Sequence, residues 1–220
     1  MNATDRATAR KIAHQHLASG DPLGWFEDLY SRANEDTANI PWADRKPNSN
    51  FIDWLKQHGI NGSGRAIVVG SGLGDDAEEL SRRGFKTTAF DISETAIAWS
   101  RKRFSRSSVS YVQTDLFSAP KEWEAAFDFV LEMYTLQVLP PYLREDAARC
   151  IASFVAKRGT LLVVARAREP DEPEGKMPWP LIKEELSPFE TQGLKRDTFE
   201  DFIDNEDPPV RRFRVAYRRE

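Results

Sequence analysis

The chain has 220 residues, room for one well-cored domain or one domain with a lid, and little room for two. Hydrophobic residues make up 40% and charged residues 30%, the balance of a soluble globular protein and not of a disordered or membrane one. A formal net charge of −4 argues against a nucleic-acid binder working through a broad basic surface.

A single cysteine, Cys150, allows neither a disulfide framework nor a thiolate zinc site, and no metal is expected. The opening MNATDRATARKIAHQ lacks the apolar core of a signal peptide, and no apolar run approaches membrane-spanning length. The expectation is a cytoplasmic protein with no membrane partner.

In chain order, the first twenty residues read as a polar helix that Gly20-Asp21-Pro22 ends. A short helix follows in GWFEDLYSRA, then a loop over 39–48 where two prolines and two asparagines interrupt any regular structure. Helix resumes from Phe51 to His58, and Gly59 to Gly64 closes it. Strands are expected at 66–70, 86–90, 109–113, 127–131 and 160–167, with helices at about 75–83, 94–104 and 141–157 between them. The near-continuous hydrophobic strands and the strand-helix alternation predict a doubly wound, mostly parallel sheet. The Pro- and acid-rich 168–180 reads as a mobile loop over a site. A short helix near 181–189 and two strand-like runs, about 194–203 and 210–218, complete the chain. The predicted architecture is a Rossmann-like three-layer α/β sandwich of seven strands with an antiparallel last strand. Residues 1–60 form a helical cap with a Pro-Trp loop, and 65–220 form the core, all within one domain.

The chemistry concentrates in IVVGSGLGDDAEEL, 67–80. Glycines after a buried strand let the backbone turn sharply and approach a ligand. A dinucleotide fingerprint, G-x-G-x-x-G, needs glycine where this chain has Asp75, and Asp76 and Glu78 also occupy the first helical turn. Carboxylates there would repel a pyrophosphate but suit a cationic cofactor without phosphates, S-adenosyl-L-methionine. Asp91, one residue past the second strand, can accept from both ribose hydroxyls, and Asp115-Leu116 can meet the adenine. Read singly, Asp91 is also an ordinary helix start and Asp115 an ordinary turn residue.

With these residues on the page, the chain resembles class I S-adenosylmethionine-dependent methyltransferases over nearly its whole length. It is most similar to the branch of thiopurine, tellurite and halide/thiol methyltransferases. The similarity rests on IPWADRKPNSNFIDWL, GSGLGDDAEELSRRGF, FDISETAI, FDFVLEMYTLQVLPPYLRE and PWPLIKEEL. The resemblance implies a cofactor loop at Gly70, Ser71, Gly72 and Gly74, and ribose contact at Asp91 with Ile92 beside the adenine. Asp115 and Leu116 would bracket the base, Glu132 would lie beneath the methionine portion, and Trp42 and Trp25 would close over the site. The EMYTLQ segment, 132–137, departs from relatives, so acceptor identity does not transfer.

Methyl transfer requires aligned reactants, excluded water and a base only when the nucleophile carries a proton. His14, His16 and His58 all precede the glycine loop, which leaves Glu132, Tyr134 and Asp44 as candidate bases. That favours a small, intrinsically good nucleophile: a thiol or thiopurine-like sulfur first, then halides and metalloid anions. The product would be S-adenosyl-L-homocysteine and the partner a small-molecule acceptor, with neither nucleic acid nor membrane, in a monomer or homodimer. The competing readings are an NAD(P)-dependent oxidoreductase and a non-catalytic S-adenosylmethionine-binding protein. Trp42 and Trp179, in Pro-flanked loops, are candidate lid residues. Cys150 reads as a core residue. Arg212, Arg214, Tyr217 and Arg219 in RRFRVAYRR read as solvated charges protecting an edge strand.

Overall fold

In the computed structural model, which describes residues 3–220, the hydrophobic runs assemble into one seven-stranded sheet flanked by helices. The elements are α1 (Ala3–Ala18), α2 (Gly24–Ala33), α3 (Ser49–Gln57), β1 (Arg65–Val69), α4 (Asp75–Arg82), β2 (Lys86–Asp91) and α5 (Glu94–Arg103). They continue with β3 (Ser110–Gln113), β4 (Phe127–Met133), α6 (Pro141–Ser153), β5 (Val155–Arg166), α7 (Pro188–Thr191), β6 (Leu194–Ile203) and β7 (Arg211–Arg219). The first two residues of the predicted N-terminal helix lie outside the described residues.

Strand order is β3-β2-β1-β4-β5-β7-β6; β1 to β5 pair in parallel, and β7 runs antiparallel to both its neighbours. The order reverses between β1 and β4, which opens a crevice at the carboxyl ends of the strands where ligands bind in such sheets. Both faces of the sheet are buried, which is why β1 reads as an unbroken apolar run. Ile67 and Val69 join the cluster with Ala147, Ile151 and Phe189, while Ala66 and Val68 join the one with Phe51, Trp54 and Leu80. A third cluster packs α1 and α2 on α5 through Ile12, Trp25, Leu29 and Trp99, with Met177 from the 168–180 loop. Glu27 of α2 fastens this cap to the start of α5 by accepting from Ser93 Oγ and from the Thr95 backbone and hydroxyl.

Two expectations are corrected. The helix predicted over 141–157 stops at Ser153, and Val155, fully buried and in register with Phe127, already belongs to β5. Arg158, at a φ of 64°, and Gly159 then make a bulge that returns the strand to register at Thr160. The C-terminal strand is internal, since β7 inserts between β5 and β6 and leaves β6 at the edge. Arg212 and Arg214 are therefore buried and paired, Arg212 with Asp204 and Glu206, Arg214 with Glu200, and are not solvated edge charges. Cys150 sits partly buried at the margin of the core.

Candidate active site

The site begins where β1 ends. Gly70 turns the chain at a φ of 58°, and a Cβ there would lie 2.6 Å from Thr135 Oγ1, so no larger residue fits between β1 and the turn after β4. Gly74, at 87°, has the same constraint against Tyr111 Oη at 2.5 Å. Asp91, at the tip of β2, accepts from Gly72 N at 2.9 Å and Ser93 N at 3.0 Å, and so fixes the loop to the neighbouring strand. Burial raises its pKa, while these backbone donors oppose the shift. The Ser71 hydroxyl is buried without a hydrogen-bond partner, a cost unless a ligand supplies one.

A cavity of about 260 Å³ lies over this loop, a little below the roughly 300–1,000 Å³ usual for small-molecule sites. Gly70, Ser71, Gly72, Gly74 and Asp91 form its floor. Ile92, Asp115 and Leu116 form the wall past β2 and β3. Asp115 uses one oxygen to cap the next turn through Phe117 N at 3.0 Å. Trp42 covers the other side; its indole donates to Tyr30 Oη at 2.8 Å, and it is 36% exposed. The glycine loop, the strand-end acids and the unpartnered Ser71 hydroxyl suit a nucleoside carrying an amino-acid chain.

The acids at the start of α4 divide differently from the expectation. Asp75 is neutralised by Arg103 through two contacts of 2.9 Å, so its charge serves the fold. Asp76 is the half-buried acid at the cavity wall, with no cation paired to it among the described residues. It accepts Asn48 N at 2.8 Å, and burial pushes its pKa up to about 7. The uncompensated carboxylate that would repel a pyrophosphate is therefore Asp76, since Asp75 is paired with Arg103.

Tyr134 lines the cavity beyond β4 at a φ of 67°, a conformation rarely adopted by a bulky side chain and often found at functional sites. Its hydroxyl accepts from Asn48 Nδ2 and Asn50 Nδ2, each at 3.2 Å, and the Arg212 guanidinium lies 4.6 Å from its ring centre. Burial raises its pKa, against the pull of Arg212 and the two asparagines. With two donors aimed at the oxygen, the phenol keeps its own hydrogen for the cavity, which suits a donor better than a base.

Glu132 needs correction. It does not line the cavity; it is fully buried behind it, where one oxygen accepts from Thr135 N and Leu136 N at 2.8 and 3.0 Å. The other oxygen has no partner, and burial pushes the pKa up to about 7. It holds the turn that presents Tyr134. Trp25 is likewise a plug, 1% exposed and edge-on behind Trp42 at 6.0 Å. Trp179 packs beside the cap cluster, while Met177 and Pro178 of the same loop reach the cavity. Asp44 lines the cavity; among the described residues no histidine does, and no group of side chains suited to a metal is found.

Gln137 of the EMYTLQ segment lines the cavity, and so do Tyr30, Asn48, Arg166 and Arg212, which the sequence did not mark as cavity residues. Asn48 alone carried a local signal, since it precedes an apolar helical run and caps α3 through Asn50 N.

Residues 66–159 match the family model described as a methyltransferase domain. The chain is 26% identical to a probable thiol methyltransferase 2 of Arabidopsis thaliana over 168 residues, 74% of this chain and 70% of that protein. In fold it is similar to the Burkholderia thailandensis 1,6-didemethyltoxoflavin-N1-methyltransferase, solved with S-adenosylhomocysteine, at a TM-score of 0.71 and 15% identity, covering 94% and 90% of the two chains. It is also similar to TehB of Haemophilus influenzae, at a TM-score of 0.64 and 16% identity, covering 88% and 67%. No helix of the described residues is long and apolar enough to cross a membrane. The match over residues 66–159, which spans β1 to β4 and the glycine loop, shows that this part of the chain carries a methyltransferase domain, and the strand order β3-β2-β1-β4-β5-β7-β6 extends the same sheet to the C-terminal strands.

Proposed function

We propose that the cavity methylates a small sulfur nucleophile. The observation that carries this reading is the lining beside the glycine loop, which offers a hydrogen-bond donor in Tyr134 and no histidine base among the described residues. Such a site suits an acceptor that reaches it already ionised, or nearly so, as a thiol does. The similarity to a protein named as a thiol methyltransferase supports the same class.

In this reading Asp91 accepts the ribose hydroxyls on its remaining lone pairs, and Ile92 and Leu116 sandwich the adenine. Asp115 takes the adenine amino group on its uncommitted oxygen. Gly70, Ser71, Gly72 and Gly74 bring backbone and the unpartnered Ser71 hydroxyl to the amino-acid end, with Asp76 as the acid facing its ammonium. When bound, the cofactor supplies a sulfonium-activated methyl group for in-line displacement. Trp42, held by Tyr30, covers the site and excludes water, while Tyr134 orients the acceptor by donating from its hydroxyl. One domain carries all of these parts, with the cap from 1–60 and Met177-Pro178 closing over the core.

The test is transfer of a labelled methyl group to a panel of thiols, halides and amines. Turnover of thiols above the rest supports the reading; turnover confined to amines would overturn it. Tight cofactor binding with no transfer to any member would favour a non-catalytic binding protein.

A further inference from the structure

Arg166 ends β5 at the cavity wall, and among the described residues its guanidinium makes no hydrogen bond or ion pair. It stands directly across the β5–β7 ladder from Arg212, so the two side chains share one face. Like charges in that relation repel, and only one of them is compensated: Arg212 is held by Asp204 and Glu206 at 2.6 Å each. Burial, Arg212 and Arg6 all lower the pKa of Arg166, while Glu206 and Tyr134 oppose them. The Arg166 backbone is fixed as well, since its N–H donates to Gln137 Oε1 at 2.7 Å. A half-buried guanidinium facing a cavity beside a second arginine is a charge without its counter-ion.

We infer that Arg166 anchors a carboxylate carried by the methyl acceptor, so that the substrate is an acidic thiol and not a neutral one. The inference deepens the sulfur reading above and rests on it. A planar guanidinium matches a carboxylate through two parallel hydrogen bonds, a geometry that a bare thiolate or halide does not use. The position fits an anchor more than a reaction centre. β5 lies two strands from β1, roughly 10 Å along the sheet edge from the glycine loop. Tyr134 stands between them, its backbone N–H donating to Val164 O at 3.0 Å. An acceptor holding its acid on Arg166 extends back past Tyr134 toward the glycine loop.

The experiment compares 3-mercaptopropionate with its methyl ester, using the full chain and Arg166→Met. The expected result is a preference for the acid in the wild type, and a fall of about tenfold to a hundredfold in the acid-to-ester ratio of kcat/KM in the variant. Calorimetric titration of the same two compounds into the S-adenosylhomocysteine complex gives a readout free of turnover, in which acid binding weakens by a similar factor. Affinity for S-adenosylhomocysteine is measured in the same samples and reports on the cofactor site alone. Arg166→Met removes a repulsion and is expected to melt no lower than the wild type. Arg166→Lys, which keeps the charge without the fork, is expected to recover part of the acid preference. Equal handling of acid and ester by the wild type, or the same fractional loss for both in the variant, would overturn the inference. If neither compound is methylated, the sulfur reading fails and the calorimetric arm still decides the anchor.

Discussion

The two ends of the cavity are built by different means. Over β1, β2 and β3 the wall is largely backbone: positive-φ glycines, a carboxylate held by two peptide N–H groups, and short turns between buried strands. Over β4, β5 and β7 it is made of long side chains drawn from distant parts of the chain, with Asn48 and Asn50 on Tyr134 and Arg212 above its ring. A backbone wall changes little when side chains vary, whereas a side-chain wall can be retuned one residue at a time. That difference matches a shared cofactor at one end and an acceptor particular to this chain at the other.

The largest expected effect is at Arg212. Arg212→Met leaves the buried Asp204 without its cation, and the expected cost is about 3–5 kcal/mol of stability, read by denaturant unfolding. A loss under about 1 kcal/mol would mean that the acceptor end does not depend on this ion pair.

Glu132 sharpens the boundary between the two ends. Its carboxyl is raised from 4.5 to about 7 by burial, a difference worth roughly 3 kcal/mol between protonation states. A carboxyl whose folded pKa is raised binds its proton more tightly in the folded state, so its contribution is full below 4.5 and lost as the pH rises toward 7. Glu132→Gln removes this dependence, and the gap between variant and wild-type melting temperatures is expected to widen in favour of the variant from pH 5 to pH 8. Parallel profiles would place the titration elsewhere.

The smallest effect is at Tyr134. Tyr134→Phe removes one donor to the acceptor, worth about 1 kcal/mol, and is expected to lower kcat/KM for thiols several-fold while S-adenosylhomocysteine binding stays the same. A loss of cofactor affinity of equal size would erase the division between the ends.

The backbone-built end was the legible one. A parallel strand buried on both faces writes itself as IVV or FVL, and a glycine turn at its end is local in sequence, so the floor of the cavity could be read from residues 67–91. The side-chain-built end has no such signature, because Arg166, Arg212 and Asn48 meet only after the sheet is assembled. The burial of Arg212 is hidden for a topological reason: an Arg-rich last strand reads as an edge, whereas β7 inserts between β5 and β6. The orientation of Asp75 and Glu132 is hidden from the sequence for a related reason. Sequence position brings an acid to a strand or helix end, but only packing decides whether it faces the cavity or, like Asp75, turns to Arg103.

The central claim, that a methyl donor lies along the backbone-built wall with its ribose on Asp91, is tested most directly by calorimetric titration of S-adenosylhomocysteine into the wild type and Asp91→Ala. One-site binding in the wild type, weakened in the variant by about 1–3 kcal/mol for the unmet hydroxyls, is the predicted result. Equal affinity in both proteins, or no binding by the wild type, would contradict it.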